Sequence, residues 1–111
     1  MTVHELISTG KFEVLNEGTN TDRKIGSVFC CDLLSVAMSK APAGCAWVTV
    51  MGNMNTLAVS SLTDGAAVIM AEGAVLDDAG LKKAKEQEIT VLRSEKPIFD
   101  TALEIHEMLN A

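Results

Sequence analysis

The sequence predicts an α/β fold: one domain over residues 1–111, with a mostly parallel central sheet of about four to five strands and helices on its faces. Three observations predict it. Short apolar or β-branched runs alternate with stretches of helical period. The run Ala66 to Ala71 is apolar throughout, as a strand covered on both faces would be. Both prolines, Pro42 and Pro97, fall between periodic segments, where breakers belong.

The elements follow in order. Thr2 and Glu5 have the spacing of a capping box and open a short helix to about Ser8. Phe12 to Leu15 alternates like a short strand, and after a turn-rich stretch around Gly18, Ile25 to Cys31 is a second strand. Asp32 is positioned to cap a helix through Lys40 with Leu33, Val36 and Ala37 on one face. Cys45 to Val50 is a β-branched strand. Asn53 or Asn55 then caps a helix carrying Leu57, Ala58, Ser61 and Leu62, which Asp64-Gly65 stops, with Gly65 suited to the left-handed position. After the Ala66 to Ala71 strand, Asp77 and Asp78 open a charged helix to about Glu88, supported by Asp78–Lys82 and Lys82–Glu86 pairs. Ile89 to Leu92 is a short buried strand. The last helix, from about Pro97 to Leu109, has Ile98, Ala102, Ile105 and Leu109 as its stripe, with Phe99 and Leu103 beside it.

Composition narrows the function classes. Nine basic residues against fifteen acidic ones give a net charge of −6, which repels phosphate backbones. With one Trp, three Phe and no Tyr there is little to stack bases. Nucleic acid is not an expected partner, and neither is a membrane, since no apolar run is long enough to span one. The first ten residues lack the apolar core of a secretory signal, so Cys30, Cys31 and Cys45 read as reduced thiols in a cytoplasmic protein.

No two of the eight glycines lie within six positions of each other, so neither a dinucleotide fingerprint nor a P-loop can be written. Cys30 and Cys31 are adjacent, and strand alternation sends adjacent side chains to opposite faces; no metal knuckle is expected. His4 reads as solvated and His106 as half-buried at a helix edge. No catalytic residues, metal site or cofactor emerge, and the chain is expected not to be an enzyme.

A ligand, if there is one, is expected outside the carboxyl ends of the parallel strands. Asp32, Asn53, Asn55 and Ser94 stand there, with Glu72 and Gly73 after the fourth strand and Arg93 and Lys96 relieving the acidity. The alternative is that Asp32, Asn53, Asn55 and Ser94 only cap helices. A second candidate is the loop Asn20 to Gly26, in which Arg23 either pairs with Asp22 to pin the turn or reaches a partner. Trp47, Thr49 and Met51 form a third feature, readable as an interface edge or as plain core.

Together these residues resemble the DRTGG domain family. Asp22-Arg23-Lys24-Ile25-Gly26 stands at the signature, followed by Cys31 to Met38, Trp47-Val48-Thr49, Asn55 to Val59, Ala66 to Ile69 and Glu72-Gly73 in the family's order. Lys24 and Ile25 replace the signature's Thr and Gly, so only Asp22, Arg23 and Gly26 carry over. The resemblance implies an α/β domain like the N-terminal domain of HPr kinase/phosphorylase, without the kinase domain. It further implies a bacterial regulatory or scaffolding role, exercised as a homodimer on a partner protein, with hydrogenase-linked enzymes among the candidates. The alternative is a sensor that binds a nucleotide or phosphorylated metabolite at the strand-end edge, drawing on Asp32, Asn53, Asn55, Ser94 and Arg23.

Overall fold

Four strands pair in the order in which the chain makes them. The computed structural model describes all 111 residues. Its elements are α1 (Val3–Ser8), β1 (Glu13–Asn16), β2 (Ser27–Cys30), α2 (Leu34–Lys40), β3 (Cys45–Thr49), α3 (Met54–Leu62), β4 (Ala67–Met70), α4 (Asp78–Glu86), β5 (Val91–Arg93) and α5 (Ile98–Leu109). They build one five-stranded sheet of order β1-β5-β4-β3-β2. β2 to β5 are parallel, and β1 runs antiparallel along β5. The predicted α/β class and mostly parallel sheet are what the chain adopts.

Register divides the core in two. Cys30, Val48, Ile69 and Leu92 lie side by side across the sheet, as do Phe29, Trp47, Val68 and Val91 one position away. Alternation turns these rows to opposite faces. Val48, Ile69 and Leu92 of the first row pack with Val3 and Leu6 of α1 and Ile105 of α5. On the other face, Val68, Met70 and Val91 meet Leu57 and Ala84, while Cys45 and Trp47 meet Ala37 and Val59. One face therefore carries α2, α3 and α4, and the other carries the two terminal helices. Trp47 is core: it is buried, and its indole N–H donates to Cys31 O at 2.9 Å. No helix is long and apolar enough to cross a membrane.

The capping box forms as its spacing predicts. Thr2 Oγ1 accepts from Glu5 N–H at 3.1 Å, and Glu5 Oε1 accepts from Thr2 N–H at 3.0 Å. Other details differ from the sequence reading. The buried side of α3 is Thr56, Leu57, Val59 and Ser60, while Ser61 and Leu62 are exposed. That helix lies between α2 and α4 and packs on both, so its buried surface is broader than one stripe. The left-handed residue after α3 is Asp64, at φ 59°, and not Gly65. Gly65 is small for another reason: a Cβ there would lie 2.8 Å from Ser60 Oγ. His106 is exposed on α5 and not half-buried.

Gly52 marks the tightest crossing. A Cβ on it would collide with the Val75 carbonyl and stand 3.2 Å from Met70 Cε, and its own carbonyl accepts from Asp77 N–H at 2.9 Å. Gly52→Ala is therefore expected to destabilise the domain by about 2 kcal/mol, lowering the thermal midpoint by about 10 °C. Calorimetry of the purified variant checks this.

Candidate functional site

The carboxyl ends of β2 to β5 are tied together by their own side chains. Asp32 Oδ1 accepts from the Thr49 hydroxyl at 2.7 Å and from Val50 N–H at 2.9 Å, fastening the end of β2 to that of β3. It does not cap α2, whose N-cap is Leu33, without a side-chain hydrogen bond. Asn53 is the cap of α3: its Oδ1 accepts from Asn55 N–H at 3.0 Å and Thr56 N–H at 3.2 Å. Asn55 supplies only its N–H to this cap, and the residue is exposed. Ser94 is buried, its Oγ accepting from Lys96 N–H and bonded to Thr101 Oγ1, both at 3.1 Å.

Glu72, at φ 59°, takes the role its neighbours leave open. Pro97 begins α5 without a side-chain cap, and Glu72 Oε2 accepts from Ile98 N–H at 3.1 Å instead. A carboxylate there complements the helix dipole. The two cations of this edge are both engaged. Arg93 donates to Gly73 O through Nε at 3.1 Å and Nη2 at 2.8 Å, and pairs with Glu13 at 3.0 Å and Glu95 at 3.2 Å. Lys96 Nζ lies 3.0 Å from Glu104. The strand order β2-β3-β4-β5 is monotonic, so no switch point opens a crevice between diverging loops.

Arg23 sits at the opposite end of the sheet, where β3 and β4 begin. Its Nη1 and Nη2 grip the two carboxylate oxygens of Asp64 at 3.0 Å each, and Nη2 also reaches Asp64 O at 3.2 Å. This fork recognises a planar carboxylate in the geometry guanidinium favours. The hydrogen bond from Arg23 holds the Asp64 carboxyl below its ordinary range, and the same bond raises the guanidinium further. Arg23 thus pairs with a residue 41 positions away and not with Asp22, which stays exposed. Nothing local in the sequence signals that partner; the Asp-Gly stop after α3 is visible, but its use as the carboxylate that a guanidinium grips is not.

A polar cleft of about 160 Å³ lies beside this clamp, between Asn20, Ser60, Ser61, Gln87 and Thr90. Gly26 donates its N–H to Gly44 O at 2.9 Å. A Cβ on it would meet nothing nearer than that carbonyl, at 3.9 Å. The structure therefore brings Asp32, Asn53, Asn55 and Ser94 to one edge and places Asp22, Arg23 and Gly26 at the other.

The thiols are dispersed as alternation demands. Cys30 is exposed beside α5, Cys31 lies on the Trp47 side with its Sγ toward Leu33 O, and Cys45 is buried. Burial pushes the Cys45 thiol up to about 11, and burial together with Asp32 raises Cys30.

No family model matches the chain, and no curated protein matches it. A solved structure does. The crystal structure of the CBS and DRTGG domains of the regulatory region of Clostridium perfringens pyrophosphatase, complexed with its activator diadenosine tetraphosphate, superposes with a TM-score of 0.73 at 16% identity. The match covers 93% of this chain and 44% of that one, so the two share a fold across nearly all of this chain.

The clamp gives two expectations. Because the Asp64 carboxyl is depressed in the folded state, its stabilisation is present above the ordinary carboxylate range and lost as pH falls through the folded value. Arg23→Gln should lower the thermal midpoint at neutral pH and make progressively less difference in acid, as melts across that range would show. Gly26→Ala should cost well under about 1 kcal/mol, since its φ is not left-handed and the space is open. Its denaturation midpoint in urea checks this.

Proposed function

We propose that this chain is a non-catalytic regulatory domain that dimerises and acts on a partner enzyme. The observation that carries the reading is the extent of the fold: 93% of the chain is matched within a pyrophosphatase regulatory region. Two features of the chain itself support it. The strand-end edge spends its polar groups on tying strands and capping helices, and Arg93 and Lys96 are both paired. The surface, by contrast, keeps apolar side chains in the open: Phe99 is 71% exposed and Leu103 39%.

A second reading, ligand sensing, is favoured by the activator-bound state of that pyrophosphatase region. It would place a nucleotide or phosphorylated metabolite at the carboxyl edge, with Asn55 the most available group and Asp32, Asn53 and Ser94 drawn from their present bonds. Arg23, at the other end of the sheet, lies outside that site.

Sedimentation at tens of micromolar is expected to give a dimer, and a strict monomer overturns the dimeric reading. A thermal-shift panel of dinucleoside polyphosphates, nucleotides and phosphorylated metabolites separates the two functions. A ligand at ~100 times its dissociation constant adds about 2.7 kcal/mol, several degrees for a chain of this size. The regulatory reading without ligand expects a flat panel. Under the sensing reading, a saturable shift should appear and Asn55→Ala should abolish it without lowering the unliganded midpoint.

A further inference from the structure

We infer that the free edge of β2 is the surface on which a second copy of this chain docks, the two edge strands pairing antiparallel about a two-fold axis at Phe29. This deepens the dimeric reading above and rests on it.

The two edges of the sheet are built differently. β1 carries the charged Glu13 and an irregularity between Val14 and Asn16, both of which discourage further strand pairing. β2 reads Ser27-Val28-Phe29-Cys30, uncharged and regular against β3 throughout. Just before it, the edge is already taken: Val3 N–H donates to Arg23 O at 3.0 Å, and Ile25 N–H to Met1 O at 2.9 Å. The open stretch is therefore β2 itself.

Its hydrogen-bonding groups select a register. Cys31 N–H reaches Val48 O on β3. Alternation along the strand then turns the N–H and C=O of Val28 and Cys30 outward. In an antiparallel pair with Val28 opposite Cys30 of the other copy, all of these groups are satisfied at once. Phe29 then faces its own counterpart across the axis as the non-hydrogen-bonded pair. This register keeps every outward pair within β2 itself, and the pairing is isologous, as a two-fold contact must be.

Charge and apolar surface agree with this occupant. Lys24 precedes the strand and Asp32 follows it; both are exposed and neither forms an ion pair within the chain. Antiparallel pairing sets the Lys24 end of one copy's edge toward the Asp32 end of the other's, so the two opposite charges face each other across the seam. A parallel contact would set like charges together. On the α5 side, Val28, Cys30, Phe99, Ala102 and Leu103 line an apolar groove of about 290 Å³. The two-fold brings both grooves together along the seam, covering the most exposed aromatic of the chain.

Disulfide trapping tests it. Non-hydrogen-bonded partners stand about 4.5 Å apart at Cα, at the short end of the range of about 4.4–6.8 Å that a disulfide spans. Phe29→Cys, with Cys30→Ser and Cys31→Ser, is expected to form a covalent dimer on mild oxidation, while the background without Phe29→Cys does not. Because Phe29 also packs beside Trp47, a second variant spares it. Cys30→Lys places a charge on the seam at an exposed position and should weaken dimerisation by about tenfold or more, with the thermal midpoint of the monomer retained. A stable dimer that Cys30→Lys leaves intact and Phe29→Cys fails to trap overturns this surface while leaving the dimeric reading standing. A parent chain that stays monomeric overturns both.

Discussion

The handedness of the strand-to-strand connections governs the rest of this structure. A crossover between parallel strands is almost always right-handed, because only that hand lets the helix pack back on a twisted sheet. With β2, β3, β4 and β5 laid down side by side in chain order, that rule sends α2, α3 and α4 to one face. The opposite face has no connecting helix to cover it. Its apolar row, Val48, Ile69 and Leu92, would be wet without α1 and α5, which come from opposite ends of the chain. Two separate cores thus share one sheet.

The same rule shapes what the carboxyl edge can do. Loops that leave every strand in one direction do not part to make a crevice, and here they are stitched by Asp32, Asn53, Glu72 and Ser94. The polar residues that would serve a ligand already hold the architecture. At the amino edge, the Arg23 fork on Asp64 joins the loop before β2 to the turn before β4. The Asn20 to Gly26 loop is thereby fixed to the scaffold by charge, while Gly26 has neither a left-handed backbone nor a crowded site to require it.

Much of this was legible in the residues. The capping box, the apolar run of β4, the opening of α4 at Asp77-Asp78 and the stripe of α5 depend on local chemistry, and each forms within a residue or two of where spacing puts it. What spacing could not yield were pairings decided by the assembled sheet. Asp32 looks like a cap because it precedes a helix, yet the closing of β2 on β3 offers its carboxylate Thr49 and Val50 instead. Arg23 stands next to Asp22, yet finds Asp64 because β3 and β4 begin there. The broad burial of α3 depends on neighbours on both sides, which no helical period encodes. Phe99 and Leu103 were visible beside the stripe, but not that β2 would lie at an edge next to them.

The shared core of the terminal helices bears on how this chain is made. Val3 and Leu6 pack in the same cluster as Ile105, and Glu13 lies opposite Arg93 across β1 and β5. During synthesis, the partners of the first helix and first strand leave the ribosome after the rest of the sheet. At about 5–20 residues per second, the intervening strands emerge seconds before α5 does, with one face of their sheet uncovered. A nascent chain of this design waits for α5 before that face can close, and until then its apolar row stays open to water and to other chains.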